Sequence, residues 1–386
     1  MTTTSPIPVT IDDPTNVAIL SISEDQLQGF HPDPFGEIAR RSGIKLPVVL
    51  EHIRAMLEAG TIRRVRQTMI TTSLAKGSLV AWKVPEKLLA EAFDYMFEQD
   101  PFSGHVVIRT TDSVSAGSQY RLWTTLKVPP LFSIEAHARY LAKQVGADAF
   151  RLMPAKKLFA LGVGHTRRRE IEPGARSEQL GRVIDTDVIP LSEPEWHVME
   201  VLKREFTPSE IIANPWVPRA KEAGVTLNDF LSTATELQNK GVIGRFATFL
   251  EHVKPVANGQ RVTRYNALFH WAVPPGQELE AGRQVGRHHI MTHAYWREGG
   301  DEFRNVNVMG VAHGTDKNRV LEHKAAIDGH LKKCGIAIGY TNVFWGGRSE
   351  IKPSEISPKA YRTWCDSVGL DPETMLDPKE ESADGD

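Results

Sequence analysis

Reactive side chains crowd one short stretch of this 386-residue chain, "RHHIMTHAYWREGG" at 287–300, which gathers three histidines, a tyrosine and two arginines. If the stretch is a β-strand, alternate side chains share a face. His289, Met291, His293, Tyr295 and Arg297 then line one side, and His288, Ile290, Thr292, Ala294 and Trp296 the other. One side presents two imidazoles, a phenol and a guanidinium. Imidazole and phenol are suitable proton donors near neutral pH, and the planar guanidinium fork suits carboxylates. A metal centre fits poorly. Adjacent His288 and His289 point oppositely on a strand, and no thiolate or carboxylate stands close enough to complete a zinc set. Each residue also has a bland alternative: a packed histidine, a half-buried strand tyrosine, an arginine in a surface ion pair.

The elements that position this row belong to a repeat. "MLEAGTIRRVRQTM" (56–69) aligns with "LQNKGVIGRFATFL" (237–250), pairing Gly60 with Gly241 and Arg64 with Arg245. "SLVAWKVP" (78–85) then aligns with "ALFHWAVP" (267–274), pairing Trp82 with Trp271 and Pro85 with Pro274. Two divergent copies of one module follow, roughly 17–165 and 191–350. Each opens with helical periodicity: Val49, Ile53, Met56 and Leu57 form a stripe that Gly60 stops, and Thr226 with Asp229 caps the helix that ends before Gly241. "PFGEIARRSG" reads as a shorter preceding helix, so a helix-turn-helix is predicted. Beyond each glycine the pattern turns to strands and helices in the order β-β-α-β-β-α, with one further short strand, predicting a ferredoxin-like αβ sandwich.

The expected organisation is therefore α+β: a disordered tail over 1–16, a helix-turn-helix over 17–60, a ferredoxin-like domain over 61–165 and a charged linker over 166–190. A second helix-turn-helix over 191–241, a second ferredoxin-like domain over 242–350 and a C-terminal tail over 351–386 complete it. Composition is that of a globular protein, 41% hydrophobic with net charge −2. No apolar run is long enough to span a bilayer, and the N-terminus lacks signal-peptide features. Only Cys334 and Cys365 are present, too few for a disulfide framework or a cysteine-rich zinc site. A cytoplasmic protein without membrane partners is expected.

Helix-turn-helix plus ferredoxin-like domain resembles the Lrp/AsnC family of regulators. "GVIGRFATFLEH", "NALFHWAVP", "HAYWR" and "FRNVNVMGVAHG" are similar, more narrowly, to the signature of siroheme decarboxylases, Lrp-like enzymes of heme biosynthesis that remove two acetate carboxyl groups from siroheme. The resemblance is good over 190–345 and weaker over 17–165. Ala294 and Glu298 replace the family's Cys and Pro, and an insertion follows residue 251. The first copy has no His-x-Tyr and offers "HVVIRTT", with His105 and Arg109, which points to one competent site rather than two. The resemblance implies His293, Tyr295 and His252 in catalysis, with His293 as proton donor or as an iron contact of bound siroheme. It implies Arg297, Arg245, Arg64, His289 and Arg264 as substrate-binding residues. It calls for no metal site of the protein's own and no cofactor beyond the iron tetrapyrrole substrate. The expected partners are siroheme or a related iron tetrapyrrole. The two modules form an intramolecular pseudo-dimer, to which a homo-oligomer could be added. Two rivals remain: a DNA-binding regulator and a non-catalytic tetrapyrrole or heme sensor. The helices "EHIRAMLEAG" and "NDFLSTATELQNKG" lack the basic bias that phosphates and groove edges demand, which argues against DNA.

Overall fold

The computed structural model describes residues 7–161, 171–251 and 264–378. Along the first half run α1 (Pro14–Ser23), β1 (Leu27–Gln28), α2 (Pro34–Ser42), α3 (Leu46–Glu58), β2 (Ile62–Met69), β3 (Lys76–Lys83), α4 (Leu89–Glu98), β4 (Ser103–Thr110), β5 (Leu122–Val128), α5 (Ile134–Val145), β6 (Ala149–Pro154) and β7 (Lys157–Leu161). The second half follows with α6 (Glu193–Leu202), α7 (Trp216–Glu222), α8 (Leu227–Asn239), β8 (Ile243–Leu250), β9 (Tyr265–Ala272), α9 (Glu278–Gly286), β10 (Met291–Trp296), β11 (Val308–Gly314), α10 (Lys317–Lys333), β12 (Tyr340–Ile351) and α11 (Pro358–Ser367). Local signals set the ends. The Thr226 hydroxyl accepts from the Asp229 amide at the start of α8. Gly60 and Gly241, at φ 76° and 75°, follow α3 and α8 in the left-handed conformation that only glycine adopts cheaply.

Two units emerge, and each draws on both halves of the sequence. The first contains α1–α3, α6–α8 and a three-stranded antiparallel sheet in the order β1-β8-β2. Phe246 on β8 packs against Phe35, Phe206 and Trp216 at ring distances of 5.3, 5.8 and 6.2 Å. Burying such a ring is worth about 1.5–3 kcal/mol, which fixes that side of the sheet against the helices.

The second unit holds nine strands in the order β6-β3-β5-β4-β12-β9-β11-β10-β7. Each half contributes a β-α-β-β-α-β run, and the order β6-β3-β5-β4 recurs as β12-β9-β11-β10. That is the ferredoxin-like pattern, present twice. β12 is long enough to pair with β9 along one part and with β4 along another. In the first half the same task is split: β6 pairs with β3, and β7, only two residues further on, pairs with β10. The two strands at the ends of the order, β6 and β7, are thus consecutive in the chain, joined by Ala155-Lys156. Ala81, Val107, Trp123, Met153, Leu268, Met309 and Phe344 form one apolar cluster from strands of both halves. Helices α4, α5 and α11 cover the first half's outer core, and the second half's core is built separately.

Several expectations need correction. β2 and β8 do not open the ferredoxin-like sheets; they pair with each other in the first unit. Periodicity identifies a strand, but its partner is set by which hydrogen-bonding edge the tertiary fold offers. The residues expected as an N-terminal tail include buried Ile11 and the start of α1, capped by Asp13. The segment expected as a tail after 351 carries α11, whose Tyr361, Trp364 and Cys365 are buried. The Tyr361 hydroxyl lies 2.9 Å from His137 Nδ1, and His137 Nε2 lies 3.2 Å from Asp100, all inside the core. Within the expected linker, Ile184 exchanges backbone hydrogen bonds with Leu158 of β7. Its arginines 167–169 lie outside the described residues.

Candidate functional site

β10 runs antiparallel between β11 of its own half and β7 of the other. His293 stands opposite Val311 and Tyr295 opposite Met309. The His293 and Tyr295 rings are stacked, 6.0 Å between centroids and 8° between planes. The Arg297 guanidinium sits 4.4 Å above the Tyr295 ring and donates to the Met153 carbonyl of β6. The structure therefore brings His293, Tyr295 and Arg297 together in one row. Thr292 ties this row to β11: its hydroxyl donates to the Val311 carbonyl at 3.0 Å and lies 3.2 Å from His293 Nδ1 and 3.4 Å from His313 Nδ1.

The expected face is not kept along its whole length. A bulge between Met291 and His293 shifts the register against β11, and an extra residue inverts the alternation beyond it. Met291 accordingly packs with Ala294 in the outer core. His289 precedes the strand in a turn, exposed, with its amide donating to the Ala175 carbonyl. His288 is buried beside His330, its two ring nitrogens without hydrogen-bond partners.

Electrostatics differ sharply along the row. Burial raises the Tyr295 phenol above its usual range, opposed by the adjacent Arg297, so the phenol keeps its proton at neutral pH. Burial also lowers Arg297, with Tyr295 acting the other way. Arg109 on β4 repeats the His-to-Arg spacing from His105, and β4 holds in its half the place of β10 in the other. Its guanidinium reaches the Asn266 side chain at 3.3 Å and the Phe344 carbonyl at 3.4 Å, and burial brings it down to about 10. Val107 stands between His105 and Arg109 and belongs to the apolar cluster, so this half has no phenol beside its arginine. Near Arg109, His270 is buried among Trp123, Phe303 and Phe344.

The other predicted arginines lie in the first unit. Arg64 of β2 faces Phe249 of β8 across the ladder, and Arg66 faces Ala247. Period 2 places Arg245 on the same side as Ala247 and Phe249. Arg66 and Arg245 bring their guanidinium carbons to 5.4 and 5.5 Å from the Phe249 ring centroid, and Arg64 pairs with Glu205 at 3.2 Å. Arg264 is exposed just before β9. His252 lies outside the described residues. Sequence reasoning did not single out the buried groups Arg66 and His270. Arg66 was visible as the next period-2 position after Arg64, whereas nothing local distinguishes His270 from any strand histidine. Among the described residues, no group of three or more His, Cys, Asp or Glu is arranged to hold a metal ion, and no helix is long and apolar enough to cross a membrane.

The duplicated β-α-β-β-α-β run defines an α+β protein of ferredoxin-like architecture, and the family model described as the AsnC-like ligand binding domain matches residues 74–160. The siroheme decarboxylase of Hydrogenobacter thermophilus is 26% identical over 292 residues, covering 75% of this chain and 80% of that one. The crystal structure of the siroheme decarboxylase NirDL superposes with a TM-score of 0.63 at 20% identity, covering 91% of this chain and 97% of that one. Its co-complex with an iron-uroporphyrin III analogue gives 0.62 at 18% identity, over 92% and 99%. The structural likenesses establish the shared fold. The sequence match adds that the chain is similar to a siroheme decarboxylase over three quarters of its length.

Proposed function

We infer that this protein is a siroheme decarboxylase, a carboxy-lyase that converts acetate side chains of siroheme to methyl groups. The observation that carries the reading is the row of His293 and Tyr295 on β10 with Arg297 directly after it, in a chain similar over three quarters of its length to a siroheme decarboxylase. Each turnover breaks the bond between the acetate methylene and its carboxylate. Carbon dioxide leaves, the electron pair stays on the methylene carbon in conjugation with the ring, and one proton completes the methyl group. His293 and Tyr295 supply that proton, because both are proton-bearing groups held side by side. Arg297 orients a carboxylate, and its burial against the Tyr295 ring strengthens such a pair. Arg64 and Arg245 remain in the proposed substrate-binding set. His252, Arg264 and His289 remain in the proposed set, His289 from an exposed turn rather than from the row. No cofactor beyond the iron tetrapyrrole substrate enters this scheme, and the two halves act as an intramolecular pair with one competent row.

The helix-turn-helix elements serve as scaffold in this reading. Arg54, the one arginine of α3, donates to the carbonyls of Pro208 and Ile211, and α8 contains no lysine or arginine. Neither helix offers the basic face that duplex DNA requires. The deciding experiment is incubation with siroheme in the absence of air, followed by mass analysis of the tetrapyrrole. Stepwise loss of two carboxyl groups supports the enzyme. Siroheme bound but recovered unchanged points instead to a sensor or carrier.

A further inference from the structure

We propose that Thr292 is a positioning residue for the proton transfer: its hydroxyl holds the His293 ring by Nδ1–H, so that Nε2 is the nitrogen that gives its proton to the substrate. The inference rests on the functional reading above and deepens it, since that reading names His293 without saying which of its nitrogens acts.

The first observation is the irregularity in the strand. Against β11, Met291 stands opposite Ala312 and His293 opposite Val311, so Thr292 is the extra residue of the bulge. In a regular strand, neighbours point to opposite faces, and the side chains of Thr292 and His293 could not meet. A bulge re-aims a side chain, and here the Thr292 hydroxyl oxygen lies 3.2 Å from His293 Nδ1.

The second observation is a count of hydrogens. A threonine hydroxyl has one proton to give and two lone pairs with which to accept. Thr292 is 1% exposed, and three groups surround its oxygen: the Val311 carbonyl at 3.0 Å, His293 Nδ1 at 3.2 Å and His313 Nδ1 at 3.4 Å. A carbonyl oxygen can only accept, and it is the nearest of the three, so the hydroxyl proton goes to it. Both imidazoles must then donate through Nδ1–H. A His293 ring without that proton would set its own lone pair against those of the hydroxyl. Which ring nitrogen keeps the proton is thus decided by the partner of Nδ1.

The third observation is that the ring is held from its flat side as well. His293 stacks on Tyr295 with 8° between planes, and Thr292, being β-branched, is stiff at χ1. The stack sets the plane of the imidazole, and the threonine selects the edge that stays with the strand. Held in this way, His293 hands over a proton only as the imidazolium, and from Nε2. The Nε2–H bond breaks, its proton joins the methylene carbon that keeps the electron pair left by carbon dioxide, and the ring remains neutral with Nδ1–H still on Thr292. A proton from water recharges Nε2 before the next turnover, and Thr292 itself neither gains nor loses one.

The test uses the full chain as wild type, Thr292→Val and Thr292→Ser, with nitrogen NMR of isotope-labelled histidine, and His293→Ala to assign the resonances. In the substrate-free wild type the neutral His293 ring should carry its proton on Nδ1. Thr292→Val should shift it toward the Nε2–H form that free imidazole side chains prefer in water. In single turnover with siroheme in the absence of air, Thr292→Val should release carbon dioxide about tenfold more slowly, the kinetic equivalent of one modest hydrogen bond. Its Kd for siroheme should stay within about twofold of the wild type, because the threonine acts through His293 and not on the ligand. Thr292→Ser, which restores the hydroxyl, should recover most of the rate. A wild-type His293 found as the Nε2–H tautomer overturns the proposal, as does a folded Thr292→Val protein with the wild-type single-turnover rate, or a serine variant as slow as the valine one. If Thr292→Val does not fold, the wild-type tautomer decides alone. A wild type that holds the Nδ1–H tautomer but returns siroheme unchanged would remove the functional reading and the transfer with it, an outcome distinct from a wild type that decarboxylates with its ring in the other tautomer.

Discussion

His270 gives a sharp quantitative expectation. Its ring is 1% exposed, packed between Phe344 at 5.0 Å and Trp123 at 6.0 Å, with Nε2 unpaired. Burial, and then the charges of Arg109 and Lys324, lower its pKa from 6.5 to about 3. The unfolded chain takes up a proton on this residue as pH falls below about 6.5, whereas the folded chain does not until about 3. The stability linked to this group is thus complete above the unfolded pKa and drains away as pH falls toward the folded one. Between pH 7.5 and pH 5 the loss comes to about 2 kcal/mol, from roughly one and a half pH units of unequal protonation at ~1.36 kcal/mol each. Urea unfolding at both pH values should show the wild type losing about 2 kcal/mol more than His270→Leu, which replaces the ring with an apolar side chain among aromatic neighbours. His288 is also lowered to about 3, mainly by burial, so the comparison between variants carries the result rather than the absolute slope. Equal acid sensitivity in the two proteins would refute the argument.

Replacing His293 by Ala should leave the fold intact and lower turnover by roughly a hundredfold or more, read by the rate of carbon dioxide release; full activity would remove the residue from proton delivery. Arg297→Met strips the charge from above Tyr295 and leaves the Met153 carbonyl without its donor, and a stability loss of about 2–4 kcal/mol is expected in denaturant titration. Tyr361→Phe deletes the hydroxyl that His137 contacts in the core, with an expected cost of about 1–3 kcal/mol by the same measurement.

Much of the local structure was legible in the chain. Gly60 and Gly241 stop their helices because the left-handed conformation after a helix excludes most side chains, and Thr226 caps α8 as its spacing to Asp229 foretold. The repeated Trp-x-Val-Pro blocks marked two copies, and the strand order shows the same arrangement twice. His293, Tyr295 and Arg297 were expected on one face because alternation is a local geometric property of a strand. Their stacking in the structure follows from it.

What the sequence did not determine was partnership. A strand declares its own alternation, but its hydrogen-bonding edges carry no address, and so β2 and β8 could leave the ferredoxin-like sheets and pair with each other. The bulge before His293 was equally hidden, since one extra residue in a ladder depends on the neighbouring strand, and that residue removed Met291 from the row. The segment after residue 351 looked like a tail because it is polar and proline-rich, yet a few aromatic residues suffice to hold α11 once Phe102, Phe132 and His137 provide a surface for them. Composition, periodicity and caps are set by neighbours along the chain. Which edges meet, which faces are buried and which charges are stranded are settled only when distant segments compete for the same surface, and the unpaired nitrogens of Arg66 and His270 are products of that competition.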